Sequence, residues 1–298
     1  MGADLAIVVV TYNSARVIGS LLDSVPAALD GLSADVVVVD NGSTDNTLSV
    51  LSSREHCRVI RSTNVGYSGG INRGVAEAEP ADAILVLNPD VVLWPGSIRP
   101  LLEALQLPGI GIAAPQMRRD GALCHSLRRE PTLLRALGLT GTRLAAFSEY
   151  VTDKRAYEVA HEVDWAVGAI LMVSRACHEA VGGWDESFFL YSEEIQFCLD
   201  ARRLGFRTRY VPESVVEHLQ GQSGTSNAIH SMMVINRVRL YRRRHGRVSS
   251  GCYYCLAILS ELSWLARGYS RSRTALVALL RPSRRPAVLG CSSSLVPF

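Results

Sequence analysis

Val36-Val37-Val38-Val39-Asp40-Asn41-Gly42-Ser43 and Ile84-Leu85-Val86-Leu87-Asn88-Pro89-Asp90 each join a continuous apolar run to an acidic turn. Runs of this kind, β-branched and without polar alternation, predict strands buried on both faces. In open α/β sheets, ligands bind just beyond the carboxyl ends of such strands. Asp40 and Asp90 are therefore expected on one ligand-binding edge.

Working outward, Leu5 to Val10 reads as the first strand, and Thr11-Tyr12-Asn13 falls on the same edge. Ser14 is expected to cap a helix running toward Ala28, and Ser43 or Thr44 to cap the next, with Asp45 favouring its dipole. Arg58 to Arg61 and Ile110 to Pro115 read as further strands. Pro95 is expected to start a helix through Gln106. Strands separated by helical stretches imply right-handed βαβ units and a mostly parallel sheet. Periodicity is lost from Arg118 to Glu162, a segment expected to border a cleft. Val163 to Val173 reads as one strand, Glu193 to Leu204 as a helix closed by Gly205, and Arg207 to Val211 as a strand stopped by Pro212, with Val215 to His218 a separate extended piece.

The 298 residues are 48 % hydrophobic and 20 % charged, which allows a large core and excludes global disorder. Net charge is only +3, but arginines cluster late, at Arg237, Arg239, Arg242, Arg243, Arg244 and Arg247, then at Arg281, Arg284 and Arg285. Such clusters suit a phosphate-bearing partner or an anionic membrane surface, or simply a solvated helix face. Nothing in the motifs points to nucleic acid. The seven cysteines show no framework spacing and no signal peptide is visible, so a reducing, cytoplasmic setting is expected. No run is long enough to span a bilayer; Cys252 to Ala266 is interrupted by Glu261. Its aromatic, arginine-flanked character suits either a helix lying on a membrane or a packed helical subdomain.

Several groups could carry chemistry. Asp40 either accepts an imide N–H of a pyrimidine base or caps its own turn. Asn64, Gly66 and Arg73 lie in a glycine-rich helix opening, where the backbone can approach an anion closely. Asp90 can ligate a hard cation such as Mg²⁺ or Mn²⁺, and Asn88 can bond a phosphate or hydroxyl without adding charge. Glu193 and Glu194 open a helix, with Asp185 a third acid nearby; one carboxylate facing a cleft could act as general base. His218 could supply an imidazole to the same cation. The polar run Gln220 to Ser223 follows it.

Taken in order, Thr11-Tyr12-Asn13, Asp40-Asn41-Gly42-Ser43-Thr44-Asp45, Asn64-x-Gly66, Asn88-Pro89-Asp90, Gly182-Gly183-Trp184-Asp185-Glu186-x-Phe188-Phe189, Glu193-Glu194 and His218-x-x-Gly221-x-Ser223 resemble the family 2 glycosyltransferases, in particular the bacterial rhamnosyltransferase-like branch. The resemblance implies a GT-A-like fold over residues 1–223, followed by a basic, amphipathic helical extension over 224–298. It also implies inverting, metal-assisted transfer of a hexose from a dTDP or UDP sugar to a glycan or polyprenyl-diphosphate-linked acceptor. Carried over by position, Thr11, Tyr12, Asn13, Asp40, Asn41, Asn64, Gly66, Arg73, Asn88, Asp90 and Trp184 are expected to bind the nucleotide sugar. Asp90 and His218 are expected to hold a divalent cation, and Glu194, Glu193 and Asp185 are the candidate catalytic acids. Where the family carries Asp, position 194 is Glu, and the later acid of the run is Gln196. A catalytically silent nucleotide-sugar-binding subunit is one alternative. A nicotinamide-dependent oxidoreductase is another, although its glycine fingerprint is replaced here by Thr11-Tyr12-Asn13. The implied location is cytoplasmic and peripheral on the inner face of the plasma membrane; oligomeric state is left open.

Overall fold

A computed structural model of the chain describes residues 3–54, 56–137, 139, 142, 144–219 and 226–285. Alternation begins at once: β1 (Leu5–Thr11), α1 (Ile18–Leu29), β2 (Ala34–Asp40), α2 (Thr47–Ser52), β3 (Arg58–Arg61), α3 (Gly66–Glu77) and β4 (Ala83–Leu87). Next come β5 (Val91–Leu93), α4 (Ile98–Leu105) and β6 (Ile110–Arg119). The aperiodic stretch holds β7 (Ala122–Leu123), β8 (Leu127–Arg128), α5 (Leu133–Ala136), β9 (His161–Val163) and β10 (Trp165–Ala166). β11 (Ile170–Ser174), α6 (Arg175–Val181), α7 (Glu193–Arg203) and β12 (Arg207–His218) complete the sheet. Three helices follow: α8 (Asn227–Arg244), α9 (Arg247–Ala266) and α10 (Arg271–Leu280).

The central sheet is ordered β3-β2-β1-β4-β11-β6-β12-β5. β3, β2, β1 and β4 run parallel, as do β6 and β12, and β11 lies antiparallel between the two blocks. This is the mixed α/β, mostly parallel architecture expected from the buried runs. β1 is buried throughout: Leu5, Ile7 and Val9 join the core under α1 and α4, while Val8 and Val10 join the core under α3 and α7. A third core, built from Met232, Ile235, Tyr241, Tyr253 and Leu279, joins the C-terminal helices to the 189–191 loop.

Local boundaries differ from expectation for physical reasons. α1 starts at Ile18, not after Ser14, because Ser14 is drawn onto the neighbouring loop by Thr47 Oγ1. α2 starts at Thr47, because Ser43 and Thr44 are held by Asn13. Residues after Asp90 extend as β5 on β12, so α4 begins at Ile98 instead of Pro95. The 163–173 stretch is split among β9, β10 and β11. Pro212 does not end a strand: β12 continues to His218 through a register shift between Val211 and Val215, where a missing N–H is tolerated. The expected boundary at 223 lies outside the described residues.

α3 packs closely on the sheet because its inner face is glycine. A β-carbon at Gly70 would come within 2.6 Å of Val10 Cγ1, and one at Gly74 would run into Val8 Cγ1 and lie 3.2 Å from Val39 Cγ2. Overpacking of this kind outweighs the better helix propensity of alanine. Gly74→Ala is expected to lower the unfolding free energy by about 1–3 kcal/mol in urea melts; unchanged stability would show that α3 can lift off β1 freely.

Candidate functional site

The parallel register of β1 and β2 sets Thr11 beside Asp40. Thr11 Oγ1 donates to Asp40 Oδ1 at 3.2 Å, and the Ser43 amide donates to Oδ2 at 3.1 Å. Asp40 is 1 % exposed, so its carboxylate caps the 41–43 turn in this conformation. Asn13, at a left-handed φ of 52°, accepts the amides of Thr44 and Asp45 through Oδ1. Tyr12 alone of this trio presents a large open surface, at 52 % exposure.

Asn41 is buried, and its Nδ2 donates to the Gly66 carbonyl at 2.8 Å. It therefore shapes the glycine-rich loop through Nδ2, while its buried Oδ1 has no hydrogen-bond partner. Asn64 Oδ1 accepts the Gly66 amide at 3.2 Å. Gly66 adopts φ 83°, and a β-carbon there would meet the Phe189 carbonyl oxygen at 2.5 Å. Only glycine allows this approach. The Tyr67 amide donates to the same carbonyl at 2.7 Å, and Ser68 Oγ to that of Phe188 at 3.0 Å. Arg73 is exposed, bonded to Ser62 Oγ, and about 10 Å along α3 from its first residue. That distance removes it from the helix N-terminus where a phosphate contact was expected.

Asp90 follows β4, and His218 ends β12. The antiparallel pairing of β5 with β12 sets His218 opposite Val91, and the Leu219 amide donates to the Asp90 carbonyl at 2.8 Å. The two side chains consequently converge, with His218 Nε2 3.3 Å from Asp90 Oδ1. The chemistry of this pair, one carboxylate oxygen and one imidazole nitrogen, suits Mn²⁺ or Mg²⁺. Among the described residues no third His, Cys, Asp or Glu joins them. A cation there would draw its remaining donors from water and a bound diphosphate. Asn88, partly open, lies two residues before Asp90, its amide bonded to the Ala169 carbonyl.

Tyr191 and Ser192 both have positive φ, 67° and 76°, and turn the chain into α7. Two consecutive left-handed non-glycine residues are strained, and strain of this kind persists only where the surroundings impose it. The imposing group is Asn236 of α8, fully buried, whose Nδ2 donates to the carbonyls of Leu190 at 2.9 Å and Tyr191 at 3.1 Å. Arg239 holds Asn236 Oδ1 at 2.7 Å and the Ser187 carbonyl at 3.0 Å. The turn delivers Glu193 and Glu194 to the interior, each with one buried carboxylate oxygen that has no hydrogen-bond partner. Burial pushes both carboxyls above their usual range, and the neighbouring charge of Glu194 pushes Glu193 higher. Backbone amides and the Arg237 guanidinium favour ionisation of Glu194. Gly168 leaves room for it: a β-carbon there would lie 2.9 Å from Glu194 Cβ.

Tyr67 is buried among acidic groups. Burial raises its hydroxyl well above the usual value, and Glu193, Glu194 and Asp90 all add to the shift. It donates to the Gly168 carbonyl at 3.3 Å. Gly168 presses on Glu194, and the next residue, Ala169, accepts the Asn88 amide at 2.8 Å, so the Glu pair packs beside the segment that leads to Asp90. Tyr67 and Glu149 did not stand out in the sequence, and Arg237 did so only as one of the late arginine cluster, not as a neighbour of the Glu pair. Tyr67 directly follows Gly66 in the glycine-rich helix opening, which was the signal available; the position of Arg237, 43 residues after Glu194, carries none for that contact.

Two expected site residues do not contribute in this way. Burial pushes the Asp185 carboxyl up, but hydrogen bonds from Ser187 and the ion pair with Arg243 outweigh it and hold it low. A carboxylate so engaged is a poor proton acceptor. Trp184 is 3 % exposed and stacked on Phe197 at 4.3 Å between centroids, so it offers no face to a sugar. The arginine cluster of α8 is largely consumed internally, Arg237 on Glu149, Arg243 on Asp185 and Arg244 on Asp200. The 220–223 run lies outside the described residues.

Residues 3–242 match the family model described as "Glycosyltransferase like family 2". The chain is 32 % identical over 246 residues to the N-acetylglucosaminyl-diphospho-decaprenol L-rhamnosyltransferase of Mycobacterium tuberculosis, covering 76 % of this chain and 80 % of that protein. It is 33 % identical over 205 residues to a low-salt glycan biosynthesis hexosyltransferase of Haloferax volcanii, covering 67 % and 62 %. Its fold is similar to that of a Pyrobaculum calidifontis mannosyltransferase solved with GDP-Man and Mn²⁺ (TM-score 0.57, 15 % identity, 99 % and 86 % covered). It is likewise similar to S. aureus TarS 1-349 solved with UDP-GlcNAc (TM-score 0.57, 14 % identity, 96 % and 82 % covered).

Because the folded-state carboxyl of Glu193 lies above its unfolded value, its favourable contribution is complete below the unfolded value and is lost as pH rises through the folded one. Glu193→Gln carries no such dependence. Its stability relative to the parent is expected to grow by about 1.4 kcal/mol per pH unit above roughly 4.3, levelling off once the folded value is passed. Urea melts at several pH values check this; a pH-independent difference would mean that Glu193 is not held protonated by the fold.

Proposed function

The chain belongs to family 2 of the glycosyltransferases and moves a hexosyl group from a nucleotide sugar, and we propose that the sugar is rhamnose or a similar hexose, carried on dTDP or UDP. The proposed acceptor is a hydroxyl of a glycan linked to a polyprenyl diphosphate, in cell-surface polysaccharide or glycoconjugate synthesis. The named activity of the mycobacterial relative supports the sugar and acceptor classes. The site-level reading rests on one observation: Asp90 and His218, from distant parts of the chain, meet at 3.3 Å just beyond the end of β4.

In the proposed reaction, Asp90 and His218 hold a Mg²⁺ or Mn²⁺ ion. When bound, that cation supplies Lewis-acid stabilisation of the departing diphosphate. Asn88 contributes a neutral amide to a phosphate or sugar hydroxyl, and Tyr12 offers its open ring to the base beside the Thr11–Asn13 edge. Glu194 accepts the proton of the acceptor hydroxyl. The hydroxyl oxygen bonds the anomeric carbon as the bond from that carbon to the diphosphate oxygen breaks, and the electron pair leaves with the nucleoside diphosphate. Attack opposite the leaving group inverts the anomeric centre. Burial raises both carboxyls and the charge of Glu194 raises Glu193 further, while backbone amides and Arg237 favour the ionised form of Glu194, so Glu194 is the stronger candidate for the base. Glu in place of Asp at 194 reaches farther, and the space left by Gly168 accommodates it.

We further propose that the enzyme works on the inner face of the plasma membrane. Among the described residues no helix is long and apolar enough to cross a membrane, and a lipid-linked acceptor requires access to a membrane surface.

Asp90→Ala is expected to abolish the chelator-sensitive part of dTDP-sugar or UDP-sugar binding in calorimetry, since the charged ligand is removed; binding that still responds to chelator would place the cation elsewhere. Glu194→Gln is expected to leave donor affinity intact while lowering turnover by about 10²–10⁴-fold. Unchanged turnover would transfer the base role to Glu193.

A further inference from the structure

α9 is apolar on its exposed side as well as its packed side. Val248, Cys252, Cys255, Leu259, Leu262 and Ala266 recur at spacings of four and three residues, so they form one stripe about 27 Å long. All six are exposed, with Val248 at 83 %, Leu259 at 59 % and Leu262 at 47 %. The opposite face, led by Tyr253 and Glu261, is packed against α8 and α10. Glu261 does not interrupt the stripe: it is buried and meets His230 Nε2 at 3.0 Å. Between Val248 and Ala266 the exposed side therefore carries no charge. A continuous exposed apolar surface of this extent marks an interaction site.

The charges at the two ends of the stripe, set in a tail whose other exposed charges are also basic, identify its partner. Arg247 opens α9 and Arg267 follows it, and Arg273, Arg281 and Arg284 are exposed on and after α10. Glu261, turned inward, is the sole acid from 227 to 285. A second copy laid along the stripe would bring arginine against arginine in either orientation. The flanking residues Ser249, Gly251, Leu256, Ile258, Ser263 and Leu265 offer no charge pairs to set a helix register. An anionic lipid surface meets both features, accepting the leucines between acyl chains and the arginines among head groups.

We propose that the Val248–Ala266 stripe of α9 is the surface on which the protein lies against an anionic phospholipid bilayer. This rests on the membrane location proposed above and gives it a specific face.

The test is co-sedimentation of the full chain with vesicles of phosphatidylcholine alone or mixed with phosphatidylglycerol, comparing the parent with Leu259→Glu/Leu262→Glu. Both leucines are exposed, so the fold is expected to survive, and an unchanged melting temperature and donor-induced thermal shift verify this. The parent is expected to bind the anionic vesicles, and the double variant to bind them about tenfold or more weaker. Both proteins should sediment as the same species without lipid and turn over a water-soluble acceptor equally. Parent binding matched by the variant would overturn the assignment to α9 while leaving membrane location intact. Absence of parent binding would overturn both, with soluble-acceptor turnover reporting separately on the transfer reaction. A parent dimer that the variant dissociates would make the stripe a self-association surface and overturn the lipid assignment.

Discussion

The pairing of β5 with β12 is the constraint on which the site depends. It sets His218 opposite Val91, one residue from Asp90, and closes the connection with the Leu219 amide on the Asp90 carbonyl. Because side chains alternate along a strand, a slip of one residue would turn His218 to the other face of the sheet. The irregular register between Val211 and Val215 occurs upstream of this pair, so Pro212 is absorbed before the strand reaches its functional end. Two distant parts of the chain, 128 residues apart, thereby form a two-donor site suited to a divalent cation.

A second constraint places the acids of α7. The turn at Tyr191 and Ser192 is held from one side by Gly66 and Tyr67, packed on the Phe189 carbonyl, and from the other by Asn236 and Arg239 of α8. α8 is thus structurally continuous with the acidic loop, although it lies beyond the boundary that the motifs suggest. Its arginines neutralise Glu149, Asp185 and Asp200. The basic residues exposed on α9 and α10 are a different set, and two of them, Arg247 and Arg267, stand at the ends of an apolar stripe. Internal pairing and surface charge have been divided between successive helices of one arginine-rich tail.

The buried strands, the parallel block and the edge bearing Thr11, Asp40 and Asp90 were legible in the sequence, because continuous β-branched runs have few other stable placements. The meeting of Asp90 with His218 was legible through the ordered motifs. Other assignments depended on contacts that no local pattern encodes. Asp185 looked like a spare acid until Arg243, 58 residues later, engaged it. Trp184 carries an aromatic group of the right type, but its ring is stacked on Phe197, and Asn41 uses its Nδ2 on the Gly66 carbonyl. Helix starts at Ile18 and Thr47 fall late because the two loops before them hydrogen-bond to each other, a tertiary effect stronger than capping preference. Tyr67 and Asn236 were missed because a single polar residue in a helix is ordinarily unremarkable.

The most direct test of the central claim is anomalous diffraction at the manganese edge from crystals grown with Mn²⁺ and dTDP. The expected result is a peak within coordination distance of the Asp90 carboxylate and His218 Nε2, bridged to the diphosphate. A manganese peak bound to the nucleotide but remote from both side chains would contradict the account.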